Sequence, residues 1–200
     1  MWRVRCRLPP GRATLAAMVV ISLLRGVNIG GHHLVRMETL RGVYEALGLR
    51  DVRTLLQSGN ILFRGTARDL GRLAVRIEDA IEAEFGFRAA VFLRDIPRMR
   101  QVVAANPFSQ RPGLDPAKLA VTFLAAPCDD AARARLAAIA GVAEELHATA
   151  SELYTYYPNG MGRPQLTAAM LDKALGRIPT TSRNWNTVVK LLALAEEMEA

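Results

Sequence analysis

The feature that most constrains this chain is a hydrophobic pattern that changes period in a fixed order from Met18 onward. Val19 to Leu24 form a continuous apolar run, which reads as a strand buried on both faces. After a glycine-bearing loop, Met37, Leu40, Val43, Tyr44 and Leu47 recur at helical spacing, and Gly48 stops that helix. Val52 to Leu56 and Ile61 to Phe63 read as two short strands around Ser58-Gly59, a tight hairpin signal that calls for positive φ at Gly59. Leu70, Leu73, Ile77, Ile81 and Phe85 make a second amphipathic helix, closed by Gly86, before a strand from Ala89 to Leu93. The order β-α-β-β-α-β is the split βαβ, or ferredoxin-like, arrangement.

A related pattern follows. Asp95 is placed to cap a short linking helix through Val103, and Asn106-Pro107-Phe108 with Arg111-Pro112-Gly113 forms a turn-rich connector. Lys118 to Leu124 reads as a strand, Asp129 to Ala140 as an alanine-rich helix, Glu144 to Thr149 and Leu153 to Tyr157 as strands, and Pro164 to Leu175 as a helix. The expectation is an α+β protein of two packed β-α-β-β-α halves with a C-terminal helix. Its parts are a disordered extension over 1–17, a first half over 18–94, a linking helix and connector over 95–117, and a second half over 118–200.

At 200 residues, half of them hydrophobic, the chain is long enough to bury about 70% of its unfolded surface. The formal charge of +7 invites a nucleic-acid reading, but its distribution weakens that. Arg3, Arg5, Arg7 and Arg12 precede Met18 with no acid among them, leaving 22 basic against 19 acidic residues beyond, or +3. The apolar run from Ala13 to Leu24 is too short to span a bilayer and enters Arg25-Gly26 with no small-x-small cleavage site, so neither a secretory signal nor a membrane span is expected. Two cysteines, Cys6 and Cys128, make no disulfide framework, and a reducing, cytoplasmic setting fits them.

Three segments, Leu23 to Gly31 (LLRGVNIGG), Gln57-Ser58-Gly59-Asn60 and Arg183 to Val188 (RNWNTV), together resemble the bacterial domain of unknown function 1697. The similarity extends from Met18 to about Leu194, with Asn106-Pro107-Phe108 and Leu153-Tyr154 also in place. It implies a widespread cytoplasmic protein of two packed α+β halves with no established reaction. The chain departs from that pattern at Pro164-Gln165, where the family would carry Ser-Lys.

A right-handed β-α-β crossover makes the strands at Val19 and Val52 parallel, so both end at one edge of the sheet. That brings the 25–33 loop beside the 57–60 hairpin and gathers Arg25, Asn28, Gln57, Ser58 and Asn60, a set of amides and one arginine suited to a polar or anionic ligand. The plainer role for Asn28 and Asn60 is to satisfy turn backbone. Gly26 and Gly31 have P-loop spacing, but His32-His33 replaces the Lys-Ser/Thr that would reach phosphate and magnesium. His32 and His33 diverge in extended chain and His147 belongs to the other half, so no metal site and no cofactor are expected. Cys128 precedes Asp129 and Asp130, which oppose a thiolate, and reads as structural. Tyr154 and Tyr156 alternate against Tyr157, the mark of a half-buried strand rather than a base-stacking surface.

Trp185 shares a helical face with Val188, Val189 and Leu192 and reads as a packing residue. Thr180, Thr181 and Ser182 read as the helix cap, which places Arg183 and Asn184 in the first turn, where a cation meets the positive end of the macrodipole. Either a carboxylate elsewhere compensates, or Arg183, Asn184 and free amides hold an anion. Two functions stand against each other: binding of a small anionic metabolite or nucleotide at this edge, and a nucleic-acid or protein interaction module without catalysis.

Overall fold

The structure, a computed structural model, describes residues 17–66 and 69–200, so the expected extension lies almost entirely outside the described residues. The first half runs β1 (Met18–Leu24), α1 (Met37–Ala46), β2 (Arg50–Leu55), β3 (Asn60–Gly65), α2 (Leu70–Phe85), β4 (Val91–Asp95) and α3 (Ile96–Ala104). After a 3-10 turn at Pro116–Lys118, the second half repeats the order as β5 (Leu119–Leu124), α4 (Asp130–Ala137), β6 (Glu145–Ala148), β7 (Glu152–Tyr156), α5 (Ala168–Leu175), β8 (Thr180–Asn184) and α6 (Trp185–Glu199). Each half builds a four-stranded antiparallel sheet, β2-β3-β1-β4 and β6-β7-β5-β8. β1 and β2 both run antiparallel to β3, hence parallel to each other, as the crossover argument requires.

Local chemistry sets the element ends. Asp69, Asp95, Asp129, Thr167 and Asn184 each cap a helix by accepting a backbone N–H with the side chain. Gly86 and Gly176 close α2 and α5 in the left-handed conformation. α1 and α2 cover the outer face of the first sheet through Leu40, Tyr44, Ile77 and Ile81 against Val20, Ile61 and Phe63. α4 and α5 cover the outer face of the second through Leu136 and Leu175 against Leu153. The inner faces share one core, in which Val19, Ile21, Leu23, Val121, Phe123 and Tyr154 meet Met99 and Val102 of α3 and Trp185, Val188 and Leu191 of α6. Central strands such as β1 and β5 are therefore buried on both sides, which is why they read as apolar runs broken only by the buried hydroxyls of Ser22 and Thr122.

Two expectations are corrected in the closing segment. Thr180, Thr181 and Ser182 do not cap a helix; they form β8 with Arg183 and Asn184, paired to β5, and Asn184 alone is the cap. The segment alternates, with Thr181 and Arg183 buried and Ser182 exposed, and period-two burial with β-branched threonine is strand chemistry. The second half is thus β-α-β-β-α-β-α, one strand more than its sequence suggested. On α6 the core face is Trp185, Val188, Leu191, Ala195 and Met198, whereas Val189 is exposed. Smaller differences concern starts and stops: α5 begins at Ala168 rather than Pro164, because Thr167 supplies the cap, and α4 ends at Ala137. Among the described residues no helix is long and apolar enough to cross a membrane.

Candidate functional site

The sheet edge where β1 and β2 end is where the second half docks. Leu24 ends β1, and its backbone N–H donates to the Gly59 carbonyl at 2.8 Å, fastening β1 to the hairpin. Gly59 has φ +71°, and a Cβ there would stand 2.6 Å from Val27 Cγ2 and 2.7 Å from Leu24 Cβ. Only glycine permits so close an approach. β8 lies across the same edge through its pairing with β5, carrying Arg183 into the junction.

Arg183 is 9% exposed. Its Nε donates to Asn60 Oδ1, Nη1 to Thr181 Oγ1 (2.9 Å) and the Ser182 carbonyl (2.8 Å), and Nη2 to the carbonyls of Leu24 (2.7 Å), Ser58 (3.1 Å) and Gly59 (3.3 Å). Every guanidinium nitrogen has a partner, and every partner is neutral. Desolvation lowers its pKa to about 10 with no carboxylate countering it among the described residues, and the group stays protonated at neutral pH. A buried cation is costly unless its charge is answered, and oxygen dipoles answer only part of it.

Arg183 lines a cleft of about 470 Å³ between the halves. Arg25 and Ile29, both exposed, stand on the side of the 25–33 loop, Ser58 belongs to the hairpin, and Ser182, Asn184 and Thr187 form the wall from β8 and the first turn of α6. The cleft therefore combines the fixed charge of Arg183, the unburied guanidinium of Arg25 and the N-terminus of α6, a positive set that complements oxyanions.

Of the residues singled out from sequence, Arg25, Ser58, Arg183 and Asn184 line this cleft. Asn60 is fully buried beneath it, with its amide nitrogen donating to the Leu55 carbonyl and Ser58 Oγ while its oxygen accepts from Arg183. Asn28 does not line the cleft. At φ +55° it pins the loop, donating to the carbonyls of Val35 (3.0 Å) and Gln57 (2.8 Å) and accepting from the Val35 N–H (2.8 Å), which is the turn-satisfying role. Gln57 is exposed and contributes its carbonyl to that staple. Asn184 spends its side chain on the Asn186 N–H and the Ala117 carbonyl.

Arg183 departs from expectation in two ways: no carboxylate pairs with it among the described residues, and it sits on a strand before the helix rather than in the first turn. Ser182 and Thr187 also face the cleft, and the alternation of 180–184 is the sequence signal that places Ser182 outward. Elsewhere, His33 lies with Nδ1 3.2 Å from the Gly26 carbonyl and stacks on Phe87 at 4.2 Å. Cys128 is buried, and burial pushes its thiol up, as a packing role requires.

The family model described as Protein of unknown function (DUF1697) matches residues 18–154, stopping short of the expected limit near Leu194 and before Arg183. No curated protein matches the chain. Among solved structures, the conserved bacterial protein SP0830 from Streptococcus pneumoniae is similar at a TM-score of 0.67 and 21% identity, covering 90% of this chain and 99% of that one. At that identity the likeness speaks for the fold.

Proposed function

The chain belongs to the DUF1697 family of proteins of unknown function, and we propose that it binds a small oxyanion-bearing ligand in the cleft between the halves. The observation that carries this reading is Arg183, a buried guanidinium at the base of a cleft with only neutral oxygens around it. An anion entering above it gains from a charge that is already desolvated and fixed, so little reorganisation is spent on binding. Arg25 is free to close on the ligand with a bidentate contact, and the first turn of α6 supplies a positive dipole end. The volume suits a metabolite or mononucleotide rather than a polymer. Both faces of the central strands are covered by helices or by the opposite half, so the centre of neither sheet is open for bases to stack.

The test is thermal shift with inorganic phosphate, pyrophosphate and mononucleotides, at low and moderate salt, on the wild type and Arg25→Ala. A ligand-dependent shift that persists in moderate salt and disappears in Arg25→Ala is expected. A shift seen only with nucleic acid and lost steeply with salt would favour the interaction module instead. Arg183→Ala is a poor probe, because it removes six hydrogen bonds at the junction of the halves, and it is expected to destabilise the fold rather than leave it intact.

A further inference from the structure

The two halves place the same residue positions in the same register, and this exposes a second copy of the cleft. Ile21 on β1 lies opposite Arg94 on β4, and Val121 on β5 lies opposite Arg183 on β8. Leu23 lies opposite Asn60, and Phe123 opposite Glu152. The strand ends repeat as well: Leu24 N–H donates to the Gly59 carbonyl and Leu124 N–H to that of Ser151, while Arg25 N–H donates to Ala90 and Ala125 N–H to Pro179. Each arginine then reaches across the junction to the end of the other half's first strand. Arg183 Nη2 donates to the Leu24 carbonyl at 2.7 Å, and Arg94 Nη2 to the Leu124 carbonyl at 3.4 Å. Each lines a cleft, about 470 Å³ at Arg183 and about 370 Å³ at Arg94, and each closing strand leads into a helix capped by its last residue, Asn184 or Asp95.

The copies differ in the residue that faces the guanidinium from the hairpin strand. At Arg94 it is Glu152, whose side chain is 3% exposed; its Oε1 is 3.6 Å from Arg94 Nε, and its Oε2 accepts from Arg98 Nη2 at 2.8 Å and Thr149 Oγ1 at 3.2 Å. At Arg183 the equivalent residue is Asn60, equally buried and uncharged. We infer that the molecule carries two copies of one guanidinium cleft, that Glu152 is the built-in counter-anion of the first, and that Asn60 leaves the second to be neutralised by an oxyanion from solution. Position 60 is thus the specificity determinant: an amide holds Arg183 in place by hydrogen bonding without cancelling its charge, and a carboxylate there would cancel it. This rests on the oxyanion reading of the Arg183 cleft and adds a stoichiometry of one ligand per chain.

The loops around the clefts agree with this division. Arg25, at the mouth of the Arg183 cleft, is replaced at the equivalent position by Ala125, so the Arg94 cleft has no counterpart of that exposed guanidinium. Arg98 and Asp95, which line that cleft, are spent on Glu152 and on capping α3.

The experiment is isothermal titration of the full chain with inorganic phosphate, comparing wild type, Asn60→Asp and Glu152→Gln. The wild type is expected to bind one phosphate. Asn60→Asp is nearly isosteric; it exchanges the amide's donation to the Leu55 carbonyl and Ser58 Oγ for an ion pair with Arg183, is expected to fold, and is expected to bind phosphate more than about tenfold more weakly through like-charge repulsion. Glu152→Gln is expected to bind a second phosphate and to be stabilised by it. Should Glu152→Gln not fold, Asn60→Asp decides alone. Undiminished phosphate binding by Asn60→Asp would overturn this inference while leaving the cleft reading in place, and so would a folded Glu152→Gln that still binds one. A wild type that binds no phosphate would overturn the cleft reading and this inference with it.

Discussion

Replacing Gly59 by alanine strikes the point where the hairpin, the end of β1 and the closing strand meet. Two costs add. At φ +71° an alanine is held in the left-handed region, worth about 1–2 kcal/mol. Its methyl would also fall 2.6 Å from Val27 Cγ2 and 2.7 Å from Leu24 Cβ, both in the packed core, and overpacking of this kind costs about 1–3 kcal/mol. Leu24 has little room to yield, because its N–H is fastened to Gly59 itself and its carbonyl accepts from both Arg183 and Thr181. The expected total is about 2–5 kcal/mol. Gly31→Ala is the control, since Gly31 has φ +80° but nothing within 4 Å of the point a methyl would occupy, and it should cost only the backbone strain. Urea unfolding followed by circular dichroism measures both. If Gly59→Ala costs no more than Gly31→Ala, the close approach of the hairpin to β1 is wrong and the base of the cleft is not built as described.

Trp185→Ala should lose about 3–5 kcal/mol in the same assay, because Trp185 packs in the core shared by the two halves. A soluble variant of unchanged stability would contradict that placement. Tyr154→Phe should lose about 1–2 kcal/mol, since its buried hydroxyl donates to the Val102 carbonyl at 2.7 Å and its loss would leave that acceptor unpaired. Burial pushes Tyr44 well above its ordinary value of 10.0, with the Ser22 hydrogen bond opposing only in part. Its folded pKa being raised, its contribution to stability is intact below pH 10.0 and is lost as pH climbs past that value. The wild type should therefore decline more steeply than Tyr44→Phe on the alkaline side, and because Arg183 is common to both proteins its opposite shift cancels in the comparison; parallel curves would refute the burial of that hydroxyl.

The parts of the fold that are legible in the sequence are those whose burial is one-sided or total. Leu73, Ile77 and Ile81 mark the covered face of α2, and the short run Val19 to Leu24, broken only by Ser22, fits a strand covered on both faces. β8 is hidden because threonine and serine before an asparagine-tryptophan pair serve equally as a cap and as a strand, and only pairing with β5 decides between them. The site is legible in part for the same reason. The meeting of the 25–33 loop and the hairpin follows from topology within one half, whereas the arrival of Arg183 follows from docking of the other half, a contact separated by 123 positions in the chain at Asn60. Asn28 illustrates the limit of residue type as a guide: its amide is consumed by Val35 and Gln57, and nothing in the sequence distinguishes that staple from a ligand contact.

The proposed oxyanion site lies above Arg183, between Arg25 and the first turn of α6. The most direct measurement is a titration of isotopically labelled protein with inorganic phosphate, followed through the backbone amide resonances. Saturable changes confined to Arg25, Gly26, Ser182 and Asn184 through Thr187, with the amides around Arg94 unmoved, are the predicted result. Changes that fail to saturate, or that spread over the exposed arginines and leave those amides untouched, would contradict the account.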